Sequence, residues 1–384
     1  MARISIIGGD GRRSGIPRLI QLLCEVFIHD HTLTVISDIN RGGFDFLADK
    51  EIGYVQLSGL ASGLNPIRIL SAFRALRREL ISREADVLWV QSSVSVLLAR
   101  LILIELRWFR KRKVALVVAY QGVPFGPGRN PVIAAPMRLL EYLCLAITPR
   151  HVLLFTSQMD CDLIPRMLQN RHSVAHALNC SLVGSAPETI AQATQDIGAK
   201  RRIVMTTRVS LQKNLQAAAE LFAQLPEAYT LCLVGPDTDG KEIQQDFRTR
   251  LTPEKFAAVE FMGTQSDVAP FLLTADLYLM TSRYEGLPFG AIEAFECGLP
   301  IALTDVGGTA EIAAVHPLFE QIDVNNAETI AMASRRIHAQ ISQYRQDPAE
   351  WRKKIHTAWA SQFSLPVWTD SIRACLRTAL GNDL

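Results

Sequence analysis

Short runs of β-branched and other apolar residues alternate with longer segments of helical periodicity along the whole chain. Apolar runs of four to six residues between polar and glycine-rich stretches are typical of strands buried in parallel sheets. Helices are predicted between them, for example at Pro17–Phe27 and Pro66–Ser82. This alternation predicts an α/β fold with doubly wound parallel sheets. The predicted strands are Ile4–Ile7, Leu33–Ile36, Val87–Val90, Val114–Ala119, Val152–Phe155, Ile203–Thr206, Thr230–Val234, Val259–Met262, Leu277–Met280 and Ile301–Thr304.

A length of 384 residues favours two domains, because one ordinary core does not extend over so long a chain. The polar segment 184–202 is the best candidate for a linker. We therefore predict a first Rossmann-like domain over 1–185, a second over 186–365, and a last helix over 366–384. Two such domains would face each other across an interdomain cleft, at the carboxyl ends of their strands, where ligands of these sheets usually bind.

The composition is that of a globular protein, with 48% hydrophobic and 20% charged residues. The mean hydropathy is +0.14. The first strand leads directly into a glycine loop, so we expect no signal peptide. The longest apolar run, Val94–Leu106, contains Arg100 and Glu105, so we expect no membrane span. The seven cysteines are scattered without a C-x-x-C pair, which favours reduced thiols, no zinc site and a cytoplasmic location.

The net charge of +2 conceals an asymmetry between the two halves. Residues 1–190 carry 22 Lys and Arg against 15 Asp and Glu, whereas the remainder carries 18 against 23. The net charges of the two halves therefore have opposite signs. This favours two domains with different partners, although chance scatter of surface charge gives the same result. The basic half lacks aromatic residues interleaved with cations on a strand face, so we expect no nucleic-acid partner.

Three loops that follow predicted strands carry candidate chemistry. The loop "GGDGRRSG", which includes Gly15, precedes a helix and suits either an anion or a tight turn. Arg208 and Lys213 precede a helix that begins near Asn214, so they suit a diphosphate, although exposed cations are often merely solvated.

The third loop lies in the segment 277–308. Glu285 precedes a helix that begins near Pro288, and Glu293 lies within that helix. Eight residues of helix span about 12 Å, so the two carboxylates are too far apart for one metal but suit opposite parts of a long ligand. The alternative is one capping and one surface glutamate.

These motifs together resemble the retaining glycosyltransferases of family 4, which have the two-lobed GT-B fold. The resemblance is carried by R-x5-K at Arg208 and Lys213, by E-x7-E at Glu285 and Glu293, and by "ECGLPIALTDVGGTAEI". It extends over nearly all of the second domain. In the first domain it is looser and depends on the glycine loop, "ADVLWVQSS" and "YQGVPFGPG". The resemblance also implies that "FSLPVWTDSIRACLRTAL" forms a helix that crosses back to the first domain.

The resemblance implies a role for each matching residue. Arg208 and Lys213 would hold the donor diphosphate, Glu285 would contact the donor sugar, and Glu293 would bind the ribose hydroxyls. The backbone of Gly286, Leu287, Pro288 and Phe289 would contact the donor sugar and phosphate, and each of these residues except proline offers an N–H group. Gly263 and Thr264 would lie near the base, and Gly15 near the phosphates or the acceptor. The donor would be a nucleotide sugar, with UDP favoured over GDP, and no metal or other cofactor would be needed.

Gln121 marks a departure from this family. The family commonly has His-Gly where this chain has Gln121-Gly122, and no histidine is nearby in the sequence. The histidine is thought to contribute its backbone carbonyl and one hydrogen bond to the sugar, which an amide can also provide. We therefore predict an active transferase with a hydrogen-bonding Gln121. The alternative is a catalytically impaired GT-B protein that binds a sugar nucleotide or a partner enzyme.

The resemblance further implies a glycan or lipid-linked acceptor in the synthesis of cell-surface polysaccharide or lipopolysaccharide. The apolar helix 96–113 ends in a basic cluster that contains Trp108. Such an end suits the surface of an anionic membrane, and the alternative is a buried helix with a solvated end. The cations predicted to contact the membrane are Arg107, Arg110, Lys111, Arg112 and Lys113.

Overall fold

The computed structural model describes residues 1–12, 14–48, 50–60, 65–181, 183–185, 187–192 and 200–381. Much of the linker predicted at 184–202 lies outside the described residues. The chain forms two compact units. The first unit contains Met1–Phe125, Asn130–Ala177 and Thr369–Leu384, and the second contains Gly126–Arg129 and Leu178–Trp368. The division after residue 177 is earlier than the boundary predicted at 185.

The first unit is built on a seven-stranded sheet in which every pairing is parallel. The strand order is β5-β3-β1-β6-β7-β8-β9, and the short strands β2 and β4 pair separately. β6, β7 and β8 are buried along their whole length, as the continuous apolar runs predicted. The strands are β1 Arg3–Ile7, β2 Gly11–Arg12, β3 Thr32–Ser37, β4 Asn40–Arg41, β5 Gly53–Gln56, β6 Val87–Gln91, β7 Ala115–Tyr120, β8 Val152–Phe155 and β9 Ser173–His176.

Helices connect these parallel strands. α2, α3 and α4 contribute to one hydrophobic cluster with β6, β7 and β8, so they cover the same face of the sheet. α3 continues into a short π-helical turn at Glu105–Phe109. The helices of the first part of the chain are α1 Gly15–Phe27, α2 Pro66–Arg83, α3 Ser93–Ile104, α4 Pro131–Ile147, α5 Gln158–Asp162 and α6 Arg166–Gln169.

The second unit is built on a six-stranded parallel sheet in the order β12-β11-β10-β13-β14-β15. The order reverses between β10 and β13, which is the Rossmann arrangement with its switch point between these two strands. Loops after β10 and β13 therefore begin at the position where such sheets bind ligands. The strands are β10 Arg201–Thr206, β11 Tyr229–Val234, β12 Val259–Phe261, β13 Leu277–Met280, β14 Ile301–Thr304 and β15 Phe319–Ile322.

Two hydrophobic clusters cover the two faces of this second sheet. α8, α9 and α14 contribute to one cluster, and α12 and α15 contribute to the other. The first residues of α16 belong to the second unit, whereas the rest of the helix belongs to the first. The helices are α7 Pro187–Gln192, α8 Leu215–Ala223, α9 Lys241–Arg250, α10 Pro253–Ala257, α11 Ala269–Leu273, α12 Phe289–Glu296, α13 Thr309–Ala313, α14 Ala327–Tyr344, α15 Pro348–Gln362 and α16 Leu365–Gly381.

The prediction of an α/β fold with doubly wound parallel sheets is confirmed, and each of the ten predicted strands is present within one or two residues. The pattern missed β5, β9 and β15, which lie at sheet edges. Their sequences are GYVQ, SVAH and FEQI, and all their side chains except Ile322 are exposed or only partly buried. An edge strand packs on fewer neighbours, so it needs no continuous apolar run. Among the described residues, no helix is both long and apolar enough to cross a membrane.

Candidate functional site

The candidate site of the second unit begins in the loop between β10 and α8. Lys213 ends a short 3-10 turn at Leu211–Lys213, and Asn214 adopts a left-handed conformation with φ of 52° before α8 starts. Asparagine tolerates this conformation better than most residues. The Arg208 guanidinium donates from Nη2 to Gln212 Oε1 at 3.2 Å. The loop therefore carries both predicted cations ahead of a helix N-terminus.

Lys213 and Glu285 form an ion pair, with Lys213 Nζ 2.6 Å from Glu285 Oε1. Gln212 Nε2 donates to Glu285 Oε2 at 3.3 Å and to the carbonyl oxygen of Tyr284 at 2.9 Å. The side chains of Lys213 and Glu285 are only 20% and 10% exposed. The structure thus brings together two residues that the sequence separates by more than seventy positions.

Further hydrogen bonds join the loop after β10 to the loop after β13. Arg283 N donates to Gln212 O at 2.8 Å, and Arg283 Nη2 donates to Asn214 Oδ1 at 2.9 Å. The hydroxyl of Thr281 lies 3.1 Å from the carbonyl oxygens of both Lys213 and Asn214. The two loops therefore form one connected structure that fixes the position of Lys213 beside Glu285.

The first turn of α12 lies directly over the ends of β10 and β13. A Cβ at Gly290 would lie 2.1 Å from Thr206 Oγ1 and 2.5 Å from the Tyr278 hydroxyl, so only glycine fits there. A second close approach is at Gly307, where φ is 56° and a Cβ would lie 2.2 Å from Glu285 O. Gly308 N also donates to Gly286 O at 2.6 Å. The close approach of Gly307 and the hydrogen bond from Gly308 fix the position of the Glu285–Pro288 segment.

The N-terminus of α12 offers donors for an anion. Within the described residues, the backbone N–H groups of Gly286, Leu287, Phe289 and Gly290 donate no hydrogen bond. The N-cap is Pro288, which provides no side-chain acceptor, and α12 has eight residues. Free N–H groups at the positive end of a helix dipole favour a negatively charged ligand.

Glu293 lies one turn further along α12 and is almost completely buried. Burial raises the pKa of Tyr278 above its ordinary value, and the charges of Glu285 and Glu293 raise it further. The Tyr278 hydroxyl lies 3.2 Å from Thr206 Oγ1. Both predicted carboxylates are therefore close enough to Tyr278 to affect its ionisation, and the site carries two acidic and two basic side chains.

Gly263 lies in the loop after β12, at the same edge of the sheet. Gly263 N donates to Thr238 Oγ1 at 3.0 Å, and Gly263 O accepts from Gly235 N at 2.8 Å. Its φ is 65°, and a Cβ would lie 2.7 Å from Asp239 Oδ2. Thr264, the following residue, is exposed. The structure thus places Gly263 against the loop after β11, which in turn adjoins the loop of Arg208, since Val209 N donates to Pro236 O at 3.1 Å.

Gln121 and Gly15 lie on the first unit. Gln121 follows the last residue of β7 and is half-buried, and Gly15 is the first residue of α1. Gly122 has φ of 103°, a conformation that L side chains rarely adopt. Val123 N donates to the buried Asp160 Oδ1 at 3.3 Å, so this bond fixes the backbone after Gln121, and β7 fixes the backbone before it.

A buried charge network supports the strand end before Gln121. Arg100, which is 1% exposed, pairs with Glu141 at 2.8 Å and donates to the Tyr120 hydroxyl at 2.7 Å. The Tyr120 hydroxyl in turn contacts Glu141. Sequence reasoning missed these residues, although a lone arginine in the apolar α3 and a lone glutamate in the apolar α4 were a usable signal.

The segment Gly126–Arg129, which completes the glycine- and proline-rich loop after Gln121, belongs to the second unit. Gly128 has φ of 79°, and a Cβ there would lie 2.0 Å from Arg283 O. The Arg129 guanidinium lies 4.3 Å from the centre of the Tyr284 ring, which is a cation–π distance. This segment therefore packs against the residue that precedes Glu285.

Two cations of the predicted basic cluster at the end of α3 have partners within the protein. Arg112 donates to the carbonyl oxygens of Leu80 and Ala85 at 3.3 and 3.1 Å, and Arg110 pairs with Glu105 at 3.2 Å. Arg112 therefore has a structural role, whereas Arg110 is an exposed residue in a surface ion pair. The remaining cations of the cluster are Arg107, Lys111 and Lys113, of which the two lysines are exposed.

A cleft of about 1220 Å³ adjoins the site on the second unit. It is lined by the carboxyl ends of β13, β14 and β15 and by α8 and α14, and it shares Asn214 and Arg283 with the loops described above. Lys213, Glu285 and Glu293 do not line it. Among the described residues, no group of three or more His, Cys, Asp or Glu side chains is arranged to hold a metal ion.

Part of the chain matches a known protein family, and the fold matches solved structures. Residues 200–340 match the family described as Glycosyl transferases group 1. These residues are similar to that family, and the fold of the chain is the GT-B fold. The crystal structure of Anabaena Alr3699/HepE in complex with UDP aligns with a TM-score of 0.74 at 15% identity, over 98% of this chain and 100% of that chain.

Two curated relatives match at higher identity over shorter segments. The lipopolysaccharide core biosynthesis glycosyltransferase LpsE of Rhizobium meliloti (strain 1021) is 29% identical over 181 residues, 47% of this chain and 51% of the relative. The putative glycosyltransferase EpsF of Bacillus subtilis (strain 168) is 30% identical over 152 residues, 37% of this chain and 38% of the relative. The chain thus spans about half the length, or less, of these relatives.

Proposed function

We propose that this protein is a retaining glycosyltransferase that moves a sugar from a nucleotide diphosphate sugar to a glycan or lipid-linked acceptor in polysaccharide or lipopolysaccharide synthesis. The observation that carries the proposal is the joined pair of loops with Lys213 beside Glu285 and the free N–H groups of α12. Cations and a helix N-terminus suit a diphosphate, and carboxylates suit sugar hydroxyls. The family match of residues 200–340 supports this assignment.

In this proposal each predicted residue keeps its role. Arg208 and Lys213 stabilise the negative charge of the departing diphosphate, together with the N–H groups at the start of α12. Glu285 binds the donor sugar, Glu293 binds the ribose, and Gly263 and Thr264 lie near the base. The cationic loop provides the charge stabilisation that a metal ion provides elsewhere, so we propose a reaction without a metal.

We favour UDP as the nucleotide because the structural relative HepE was crystallised with UDP. The test is a thermal-shift screen of UDP-, GDP- and ADP-sugars with the full chain. A ligand at a hundred times its dissociation constant stabilises a protein by about 2.7 kcal/mol, which corresponds to a melting-temperature increase of about 5 °C or more. We expect such an increase with a UDP-sugar and a smaller one with the others. No increase with any nucleotide sugar would contradict the proposal.

Gln121 distinguishes an active enzyme from a binding protein. We propose that its amide donates or accepts one hydrogen bond to the donor sugar, a role that needs no titrating group. Gln121→Ala should lower turnover about tenfold, because one hydrogen bond is lost, whereas Gln121→His should preserve or raise it. The measurement is turnover of a nucleotide sugar by each variant. If the wild type transfers no sugar while Gln121→His does, the protein is a binding protein with an impaired centre.

We also propose peripheral contact with an anionic membrane through the end of α3. Arg107, Arg110, Lys111 and Lys113 are the cations of this contact, whereas Arg112 is bound by backbone carbonyl groups of the protein. Trp108 and Phe109 are exposed beside them. An aromatic pair among cations suits the interface between lipid headgroups and acyl chains.

A further inference from the structure

Helix α4 has an apolar face that none of the described residues covers. Its sequence, PVIAAPMRLLEYLCLAI, is apolar on every side apart from Arg138 and Glu141. Such a helix is normally buried all around. Here one side is buried through Ala134, Cys144 and Leu145, whereas the other side is exposed. The exposed large apolar side chains are Val132 at 80%, Ile133 at 54%, Leu139 at 61%, Leu140 at 39%, Leu143 at 53% and Ile147 at 50%.

The exposed side chains form one continuous stripe. Val132, Leu139, Leu143 and Ile147 follow each other at intervals of seven, four and four residues, which places them on one side of the helix. Their stripe extends over nearly the whole helix, or about 25 Å for seventeen residues. Exposed apolar patches of this kind mark surfaces that bind a membrane or another protein.

The position of α4 is fixed by its buried side. Glu141 pairs with Arg100 of α3 at 2.8 Å, and the Tyr142 hydroxyl donates to Leu163 O at 2.5 Å. At the end of the helix Arg171 donates to Ala146 O at 2.8 Å. These bonds hold the exposed stripe outward as a stable surface of the folded unit.

Trp108 and Phe109 lie at the same edge of the unit as the end of α4. α3 leads from β6 to β7 and α4 leads from β7 to β8, so both helices run in the same direction and end at the amino edge of the parallel sheet. The ion pair between Arg100 and Glu141 makes the two helices neighbours. The exposed aromatic residues therefore lie at the same edge of the sheet as the end of the apolar stripe.

The charges around this surface are predominantly positive. Lys111 and Lys113 are exposed at the end of α3, Arg150 is exposed just after α4, and Arg166 is exposed on the neighbouring α6. Two acidic residues of the region, Glu105 and Glu141, are already paired with arginines. An apolar stripe bordered by aromatic residues and unpaired cations matches a bilayer with anionic headgroups.

We infer that α4 lies in the plane of an anionic membrane, with its exposed stripe among the acyl chains and with Trp108 and Phe109 at the headgroup level. This inference extends the membrane contact proposed above to a second helix, and makes the apolar stripe of α4 its principal part. The cations at the end of α3 orient the surface, and the stripe supplies the area removed from water.

The test is flotation of the full chain with vesicles of phosphatidylcholine alone and of phosphatidylcholine with phosphatidylglycerol. We expect the wild type to float with the anionic vesicles. The triple variant Val132→Ser, Leu139→Ser and Leu143→Ser should lower the partition coefficient about tenfold or more, since it removes apolar area from the inserted face. The matched control, Leu365→Ser with Leu380→Ser, changes exposed apolar residues of α16 and should float like the wild type.

Two further measurements, thermal unfolding and the thermal shift with a nucleotide sugar, should give the same results for the triple variant and the wild type. The triple variant should melt within a few degrees of the wild type, because exposed substitutions usually change stability little. It should also keep its response to the nucleotide. A wild type that floats but responds to no nucleotide sugar would contradict the transferase and leave the membrane surface standing. A wild type that does not float, a triple variant that floats equally, or a dimer that the triple variant dissociates would overturn the inference.

Discussion

Replacing Lys213 with alanine should lower sugar transfer about a hundredfold or more, because an electrostatic contact to a developing anion has an effect of this size. Lys213 Nζ lies 2.6 Å from Glu285 Oε1, so the substitution removes a cation and also leaves a largely buried carboxylate without its ion pair. The site then carries one cation and two carboxylates, and it repels a diphosphate. The measurements are the turnover of a nucleotide sugar and the dissociation constant of UDP.

Two further variants make this result specific. Lys353→Ala changes an exposed lysine on α15 and should leave both quantities unchanged. Glu285→Gln removes the negative charge and keeps Lys213, so it should preserve or strengthen UDP binding while lowering transfer, because the sugar loses a contact. If Lys213→Ala binds UDP and transfers sugar as the wild type does, the assignment of the diphosphate to this loop is wrong.

Replacing Arg352 with methionine should destabilise the second unit by about 3 kcal/mol, the upper range for buried polar groups that lose their partner. Arg352 is 1% exposed. Its guanidinium donates to the Tyr344 hydroxyl at 2.7 Å and to the carbonyl oxygens of Leu273, Cys297 and Ala275 at 2.8, 2.9 and 3.1 Å.

Two of these carbonyl groups belong to helix ends. Leu273 ends α11, and Cys297 is the C-cap of α12, so the negative ends of two helix dipoles face the cation. Methionine fills similar space but donates no hydrogen bond, so these carbonyl groups lose their partner. We expect the melting temperature measured by circular dichroism to fall by about 10 °C.

Arg335→Met provides the control for this second prediction. It makes the same chemical change at an exposed arginine of α14, so its melting temperature should remain within about 2 °C of the wild type. Equal melting temperatures for Arg352→Met and Arg335→Met would contradict the prediction, because they would show that the hydrogen bonds of Arg352 do not stabilise the second unit.

Most of the fold could be predicted from the sequence because buried parallel strands leave a simple pattern. β7 and β13 read as continuous apolar runs, since helices cover both faces of the sheet. β5, β9 and β15 left no such pattern, because edge strands carry polar side chains on a half-exposed backbone. The small pair formed by β2 and β4 was also missed, since two residues are too few to show periodicity.

The candidate site was predictable as a set of residues, but its connections were not. Sequence spacing predicted Arg208 and Lys213 before one helix and Glu285 before another, each at a strand end. The bond between Lys213 and Glu285, and the role of Gln212 in joining them, depend on strands that are adjacent in the sheet but distant in the chain. The requirement for glycine at position 290 is likewise not evident from the sequence, because it arises from the Tyr278 hydroxyl that packs against Gly290.

The fold class, the strand-end loops and the residue types available for chemistry follow from the sequence, because local propensity and apolar periodicity act over short distances. Which of those residues are partners is evident only in the folded protein. The structure shows that Arg112 is bound by backbone carbonyl groups, which makes it a structural residue. It also shows that one side of the apolar helix α4 is left uncovered by the described residues. Both depend on which elements pack together, and that is set by the whole sheet rather than by any one segment.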